Sequence, residues 1–153
     1  PTIRLSQFAN LYHKHINLFS EIVKIRTKEE LYAIFNICPS NYWKAHYTFG
    51  KESKVTAKKL SKAFIDLLMI NTVIPLLFSY SKHKGNANEK LIISLTKTIK
   101  PEKNSITKLF EKLNLKIVDA MSTQSLIQLK TEYCDKNKCL QCAIGNKILN
   151  RNM

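Results

Sequence analysis

Apolar residues recur along this chain at intervals of three and four, the spacing that gathers side chains on one face of a helix. Leu5, Phe8, Ala9 and Tyr12 form such a face in a first helix, which Thr2 can cap and which runs through about His13. A short second helix is expected from about Leu18 to Lys24. Thr27-Lys28-Glu29-Glu30 matches a capping box, in which the Thr27 hydroxyl and the Glu30 carboxylate each satisfy an orphan amide. It opens a helix over Leu31, Ile34 and Phe35 that Cys38-Pro39 ends. Ala63 to Tyr80 is apolar almost all round, which predicts a central helix buried on most sides. Pro75 should kink or split it, and the polar Asn71 and Thr72 near the break should find partners inside the core. The longest apolar run, Phe64 to Phe78, is interrupted by Asp66, Asn71, Thr72 and Pro75 and falls short of the roughly 18 residues a bilayer span needs. It reads as a core helix, and no secretory signal opens the chain.

Lys82 to Asn88 is expected to be a loop with Gly85 at its tip. Asn88 can cap a helix over Leu91, Ile92, Leu95 and Ile99, which Pro101 stops. The next helix, Ser105 to Leu113, should turn Ile106, Leu109, Phe110 and Leu113 inward and Lys108 and Lys112 outward. A last long helix begins at Ser122 with Leu126, Leu129 and Tyr133 on its apolar stripe, and a short one over Ala143 to Leu149 closes the chain despite Gly145. Three glycines and four prolines leave too little turn punctuation for several hairpins. The predicted fold is all-α: one domain over residues 1–153, a bundle of six to eight helices around the buried central helix, ending in a cysteine knot. At 153 residues and 44% apolar, the chain can bury such a core without disulfides.

Charge adds a candidate partner. Twenty-five Lys and Arg against eleven Asp and Glu leave a formal +14, the footprint of a protein that meets nucleic acid or another anionic surface. Only Arg4, Arg26 and Arg151 are arginine, and abundant asparagine and isoleucine fit a genome biased toward A and T, in which lysine accumulates on solvated faces. Contact with a phosphate backbone is therefore favoured over reading of base edges. Lys51, Lys54, Lys58 and Lys62 recur at i, i+3, i+7 and i+11 and make one basic stripe where a helix runs through them. The neighbouring patch Tyr42-Trp43-Lys44-Ala45-His46-Tyr47 can stack unpaired bases through Trp43, with His46 beside it, or it can anchor a loop as a satellite core. If helical, Trp43, His46 and Tyr47 share a face.

The candidate chemistry lies near the end, in Cys134, Cys139 and Cys142, a C-x4-C-x2-C cluster. Three thiolates this close can converge on zinc or an iron-sulfur cluster, with Cys38 as the fourth ligand and Asp135, His13, His15, His46 or His83 as substitutes. His13 and His15 sit two apart and cannot chelate one ion together. Thiol redox chemistry is a second reading, which Lys136 and Lys138 would favour by lowering thiolate pKa. Reduced cysteines packed as small hydrophobes are the third. One lone cysteine and one knot do not make a secreted disulfide framework, so a reducing, cytoplasmic setting is expected.

The Walker-type phosphate loop, the G-x-G-x-x-G turn, the G-x-S-x-G elbow and the H-E-x-x-H helix are all absent from the sequence, and the acidic residues are scattered singly. His46, near Glu52 in sequence, is the best single candidate base, yet no nucleophile is spaced to use it. No catalytic residue is expected within these 153 residues.

Pro1-Thr2-Ile3-Arg4-Leu5, the Tyr42-Trp43…His46-Tyr47…Phe49-Gly50 patch, Ile70-Asn71-Thr72-Val73…Pro75-Leu76-Leu77, and Gln124…Leu126…Gln128-Leu129-Lys130 running into the cysteine-rich ending are specific in combination. Together, over essentially the whole chain, they resemble the carboxy-terminal half of a bacterial domain-of-unknown-function family, number 2851, found in Bacteroidetes. The resemblance implies a fragment of a longer protein. Its amino-terminal part would be a β-rich region similar to restriction-endonuclease-like cores, and this chain would be the helical accessory domain. The ending is also similar to the iron-sulfur tail of helix-hairpin-helix DNA glycosylases, but it lacks their fourth local cysteine and glycine-rich hairpin. Two functions follow as expectations. The first is a basic helical module that holds nucleic-acid backbone through Lys51, Lys54, Lys58, Lys62 and Trp43. The second is a docking domain whose apolar faces pack on the missing amino-terminal region, with the lysines as solvated bystanders.

Overall fold

A computed structural model of the chain describes residues 2–85 and 88–150. Pro1, the middle of the Lys82–Asn88 loop and Arg151 lie outside the described residues. Helix accounts for 65% of the chain and strand for 3%, so the fold is all-α. The chain divides into two compact units, Pro1–Leu95 and Thr96–Met153.

The first unit opens with α1 (Thr2–Lys14), α2 (Leu18–Lys24) and α3 (Lys28–Ile34). The capping box at α3 forms in full: the Thr27 hydroxyl accepts from the Glu30 amide at 3.3 Å, and Glu30 accepts from the Thr27 amide in return. Glu30 also accepts from the Arg26 amide at 2.8 Å, which holds its carboxyl below the ordinary value. A short α4 (Asn41–Lys44) leads into an antiparallel hairpin, β1 (His46–Thr48) and β2 (Lys51–Glu52). Gly50 turns it with φ of +68°, a conformation only glycine adopts without cost.

The expected central helix is present as α5 (Lys62–Leu68), a π-helical stretch Met69–Val73 and α6 (Ile74–His83). Proline has no amide hydrogen to offer the ladder, and the wider π turn placed just before Pro75 re-registers the bonds instead of breaking the helix. At 22 residues the whole helix is long enough and apolar enough to cross a membrane, a test that core helices also pass. Burial is where expectation and structure part. Only 28% of its most apolar window is buried: Ile65, Met69, Ile70, Val73 and Leu77 face the core, while Leu67 and Phe78 are exposed. Asn71 and Thr72 are also exposed, and Asn71 Nδ2 donates to the Leu67 carbonyl one turn back rather than into the core. Leu11, Ile22, Leu31, Phe35 and Ile37 are the other buried side chains of the unit's core, with Ile25. Tyr32 donates to Asp66 Oδ1 at 2.6 Å, joining α3 to α5; burial and that carboxylate push the phenol's pKa up.

Helix α7 (Glu89–Thr98) includes the Leu95/Thr96 division, and Asn88 Oδ1 accepts from the Leu91 amide as its cap. The second unit holds α8 (Ser105–Glu111), α9 (Ala120–Gln128) continued by a π-helical stretch Leu129–Cys134, a 3-10 turn Cys139–Gln141 and α10 (Ala143–Leu149). Its buried side chains include Ile99, Thr107, Ala120, Thr123 and Cys142. On α8 the expected inward face is only partly right, because Leu109 and Leu113 are exposed and Thr107 is buried. The start of α9 is Asp119, which accepts from the Ser122 amide and hydroxyl, each at 2.7 Å.

Candidate docking surface

The four lysines expected on one helical stripe do not share a helix. Lys51 stands on β2, Lys54 and Lys58 in the irregular segment before α5, and Lys62 at the first turn of α5. Lys58 is turned inward: its backbone is left-handed (φ 44°), and its Nζ donates to the His46 carbonyl at 2.8 Å and to Ser53 Oγ at 3.3 Å. That ammonium also lies 3.9 Å from the Tyr47 ring centroid. Lys51, Lys54 and Lys62 are exposed.

The aromatic patch is satisfied within itself. Tyr42 stacks on His46 at 4.0 Å and 6°, and Trp43 meets Phe49 edge-on at 4.9 Å. The Tyr42 hydroxyl accepts from the Gly50 amide at 3.1 Å, and His46 Nδ1 lies 2.8 Å from the Tyr42 carbonyl. The rings pack on one another beside the hairpin, but Tyr42, Tyr47 and Phe49 remain exposed, so the cluster is a surface one and not a buried satellite core. Trp43, half-buried, forms part of it.

The cysteines do not converge as expected. Among the described residues, no group of three His, Cys, Asp or Glu is placed to hold a metal ion. Cys142 is buried, Cys134 and Cys139 are exposed, and Cys38 is half-buried in the first unit, where its carbonyl accepts from Asn10 Nδ2 at 2.5 Å. Lys136, expected to activate a thiolate, binds Glu132 at 2.5 Å and holds that carboxyl below its ordinary value. Lys130 pairs with Asp135.

A concave apolar surface on the first unit escaped the sequence reading. In α1 it is Gln7 and Leu11 that point inward, whereas Leu5, Phe8 and Tyr12 are 67%, 61% and 61% exposed. Beside this open face lies a groove of ≈ 270 Å³ between α1, α2, α3 and the long helix, with Phe8, Leu18, Phe35, Phe64, Leu68 and Leu76 among its lining residues. Ile16 and Phe19, in and around the turn into α2, are exposed as well. Arg4 bounds the groove: its Cζ lies 3.8 Å over the Phe64 ring, and its Nη1 donates to Gln7 Oε1 at 2.8 Å. Gln7 Nε2 in turn donates to the Lys58 carbonyl at 2.5 Å, so one buried amide fixes α1, Arg4 and the segment before α5 together. Helical spacing alone marks Leu5, Phe8 and Tyr12 as one face. Their exposure is a matter of tertiary packing, which spacing does not encode.

A family model described as Protein of unknown function (DUF2851) matches residues 1–105, which takes in the whole of this surface. No curated protein and no solved structure matches the chain.

Proposed function

We propose that this chain, which belongs to the DUF2851 family, is a non-catalytic docking module whose first unit receives an amphipathic helix of a partner protein in the apolar groove. The observation that carries the reading is a concavity with almost no polar lining, opened by Phe8 at 61% exposed, on a unit whose α1 also exposes Leu5 and Tyr12. Isolated exposed hydrophobes are ordinary, but an open apolar groove supports a surface that binds. Groove and flanking helices match the way a helix lays side chains at i, i+3, i+4 and i+7 into a hydrophobic trough.

The rival reading, a backbone-binding nucleic-acid module, keeps the net +14 but is supported less, since the four lysines occupy a strand, an irregular segment and a helix start and not one helical stripe. A fluorescent apolar probe, 1-anilinonaphthalene-8-sulfonate, tests the groove directly. The folded chain should enhance and blue-shift its emission. Phe8→Glu and Leu76→Glu, which place charge in the lining, should abolish the effect while far-ultraviolet circular dichroism stays unchanged. Enhancement that persists in both variants would overturn the reading.

A further inference from the structure

We infer that the groove's partner is an acidic amphipathic helix, selected by a carboxylate-binding hollow that adjoins the groove; this rests on the docking reading above. The hollow, ≈ 540 Å³ and open, is lined by Arg4, Gln7, Tyr47, Thr48, Lys58 and Lys59, with Ile3 at its edge. It shares Arg4 and Gln7 with the apolar groove, so the two concavities form one bipartite surface. Arg4, Lys58 and Lys59 thus line one hollow, and among the described residues no carboxylate pairs with any of them. No acidic side chain lines either concavity.

The geometry orders these cations before any ligand arrives. Phe64 supports the Arg4 guanidinium and Gln7 holds one of its nitrogens, which leaves the other edge to meet a carboxylate in a two-point fork. The Lys58 ammonium is spent on the His46 carbonyl, Ser53 and the Tyr47 face, so it adds positive field to the wall while Arg4 and Lys59 offer the donors. Lys59 is exposed. A helix seated with its apolar anchors in the groove presents its next polar residue about one turn, roughly 5.4 Å, along its axis. Arg4 and Gln7 line both concavities, so such a residue would meet the shared wall. A phosphate backbone would use the cations but leave the apolar groove empty, and a helix bearing lysine would be repelled by the same wall and by the chain's net +14.

The test uses the intact chain and a displayed library of amphipathic helices, about 18 residues long to allow stable turns, with Leu, Ile or Phe at apolar positions and Glu, Gln or Lys at polar ones. Selected helices should carry Glu within one turn of their anchors. Their affinity should fall about tenfold on Glu→Gln in the peptide or on Lys59→Glu in the protein, and measurably on Arg4→Lys, which keeps the charge and loses the fork. Helices selected without preference for Glu, and indifferent to Lys59→Glu, would overturn the acidic partner and leave docking standing. Failure of any helix to bind better than to a Phe8→Glu control would overturn docking itself. Duplex DNA or phosphatidylglycerol vesicles that bind more tightly than every helix and displace them would overturn both, assigning the hollow to phosphate.

Discussion

Gln7 is the residue on which the bipartite surface depends most, and Gln7→Met is the sharpest perturbation of it. The side chain is 3% exposed, donates to the Lys58 carbonyl at 2.5 Å and accepts from Arg4 at 2.8 Å. Methionine fills nearly the same volume without either bond, so packing is kept and only the polar tie is removed. Loss of one interior hydrogen bond costs about 1 kcal/mol net, and the Lys58 carbonyl left without its donor brings the expected total to about 2 kcal/mol. Arg4 is exposed and rehydrates, adding little. The segment before α5 keeps its other ties, the Thr56 amide to the Lys44 carbonyl and the Ser53 amide to the Ala45 carbonyl, so it should loosen and not unfold. Urea unfolding should show the stability loss, and amide hydrogen exchange should quicken at Ser53 and Thr56 while Leu31 and Met69 in the core keep their protection. A Gln7→Met protein as stable as the wild type, with unchanged exchange in that segment, would refute the claim that this amide fixes the surface.

Three further outcomes follow from the second unit. Asp119→Ala should cost about 1 kcal/mol at neutral pH as a lost helix cap. The Ser122 hydroxyl and amide hold the Asp119 carboxyl below the ordinary aspartate value, so its contribution is present above that ordinary value and lost as pH falls through the lower folded one; the gap between variant and wild type should close in acid. Gly145→Ala should destabilise α10, because an added Cβ would lie 2.5 Å from the Cys139 carbonyl oxygen, and limited proteolysis should then cut the terminal helix faster. Cys139→Ser, at an exposed position in a cluster with no gathered ligand set, should change stability by less than about 0.5 kcal/mol. A larger loss accompanied by release of zinc or iron would contradict the arrangement described.

Much of the secondary structure was legible because its signals are local. The Thr27–Glu30 box, the Asn88 cap, the second helix from Leu18 to Lys24 and the terminal helix from Ala143 to Leu149 all depend on residues within one turn of one another. What was missed needed longer-range information. Period alone names a face of α1, yet Gln7 and Leu11 on the other side are the buried pair, because Gln7 has a carbonyl partner 51 positions away. The hairpin after His46 contains only one Gly turn and two short strands, too little alternation to outweigh the helical spacing of Trp43, His46 and Tyr47. Gly145 reads as a weak helix former until the close approach of the Cys139 backbone explains it. The groove has no motif at all, since its walls come from four helices spread between Arg4 and Leu76.

Methyl-resolved NMR of the intact chain, titrated with a selected acidic amphipathic helix, reports where that helix sits. Shifts are expected at Leu11, Leu18, Leu68, Val73 and Leu76 in the groove, with Leu31 in the closed core unmoved. Shifts confined instead to Leu140, Ile144 and Ile148, the exposed apolar side chains around α10, would contradict docking in the groove.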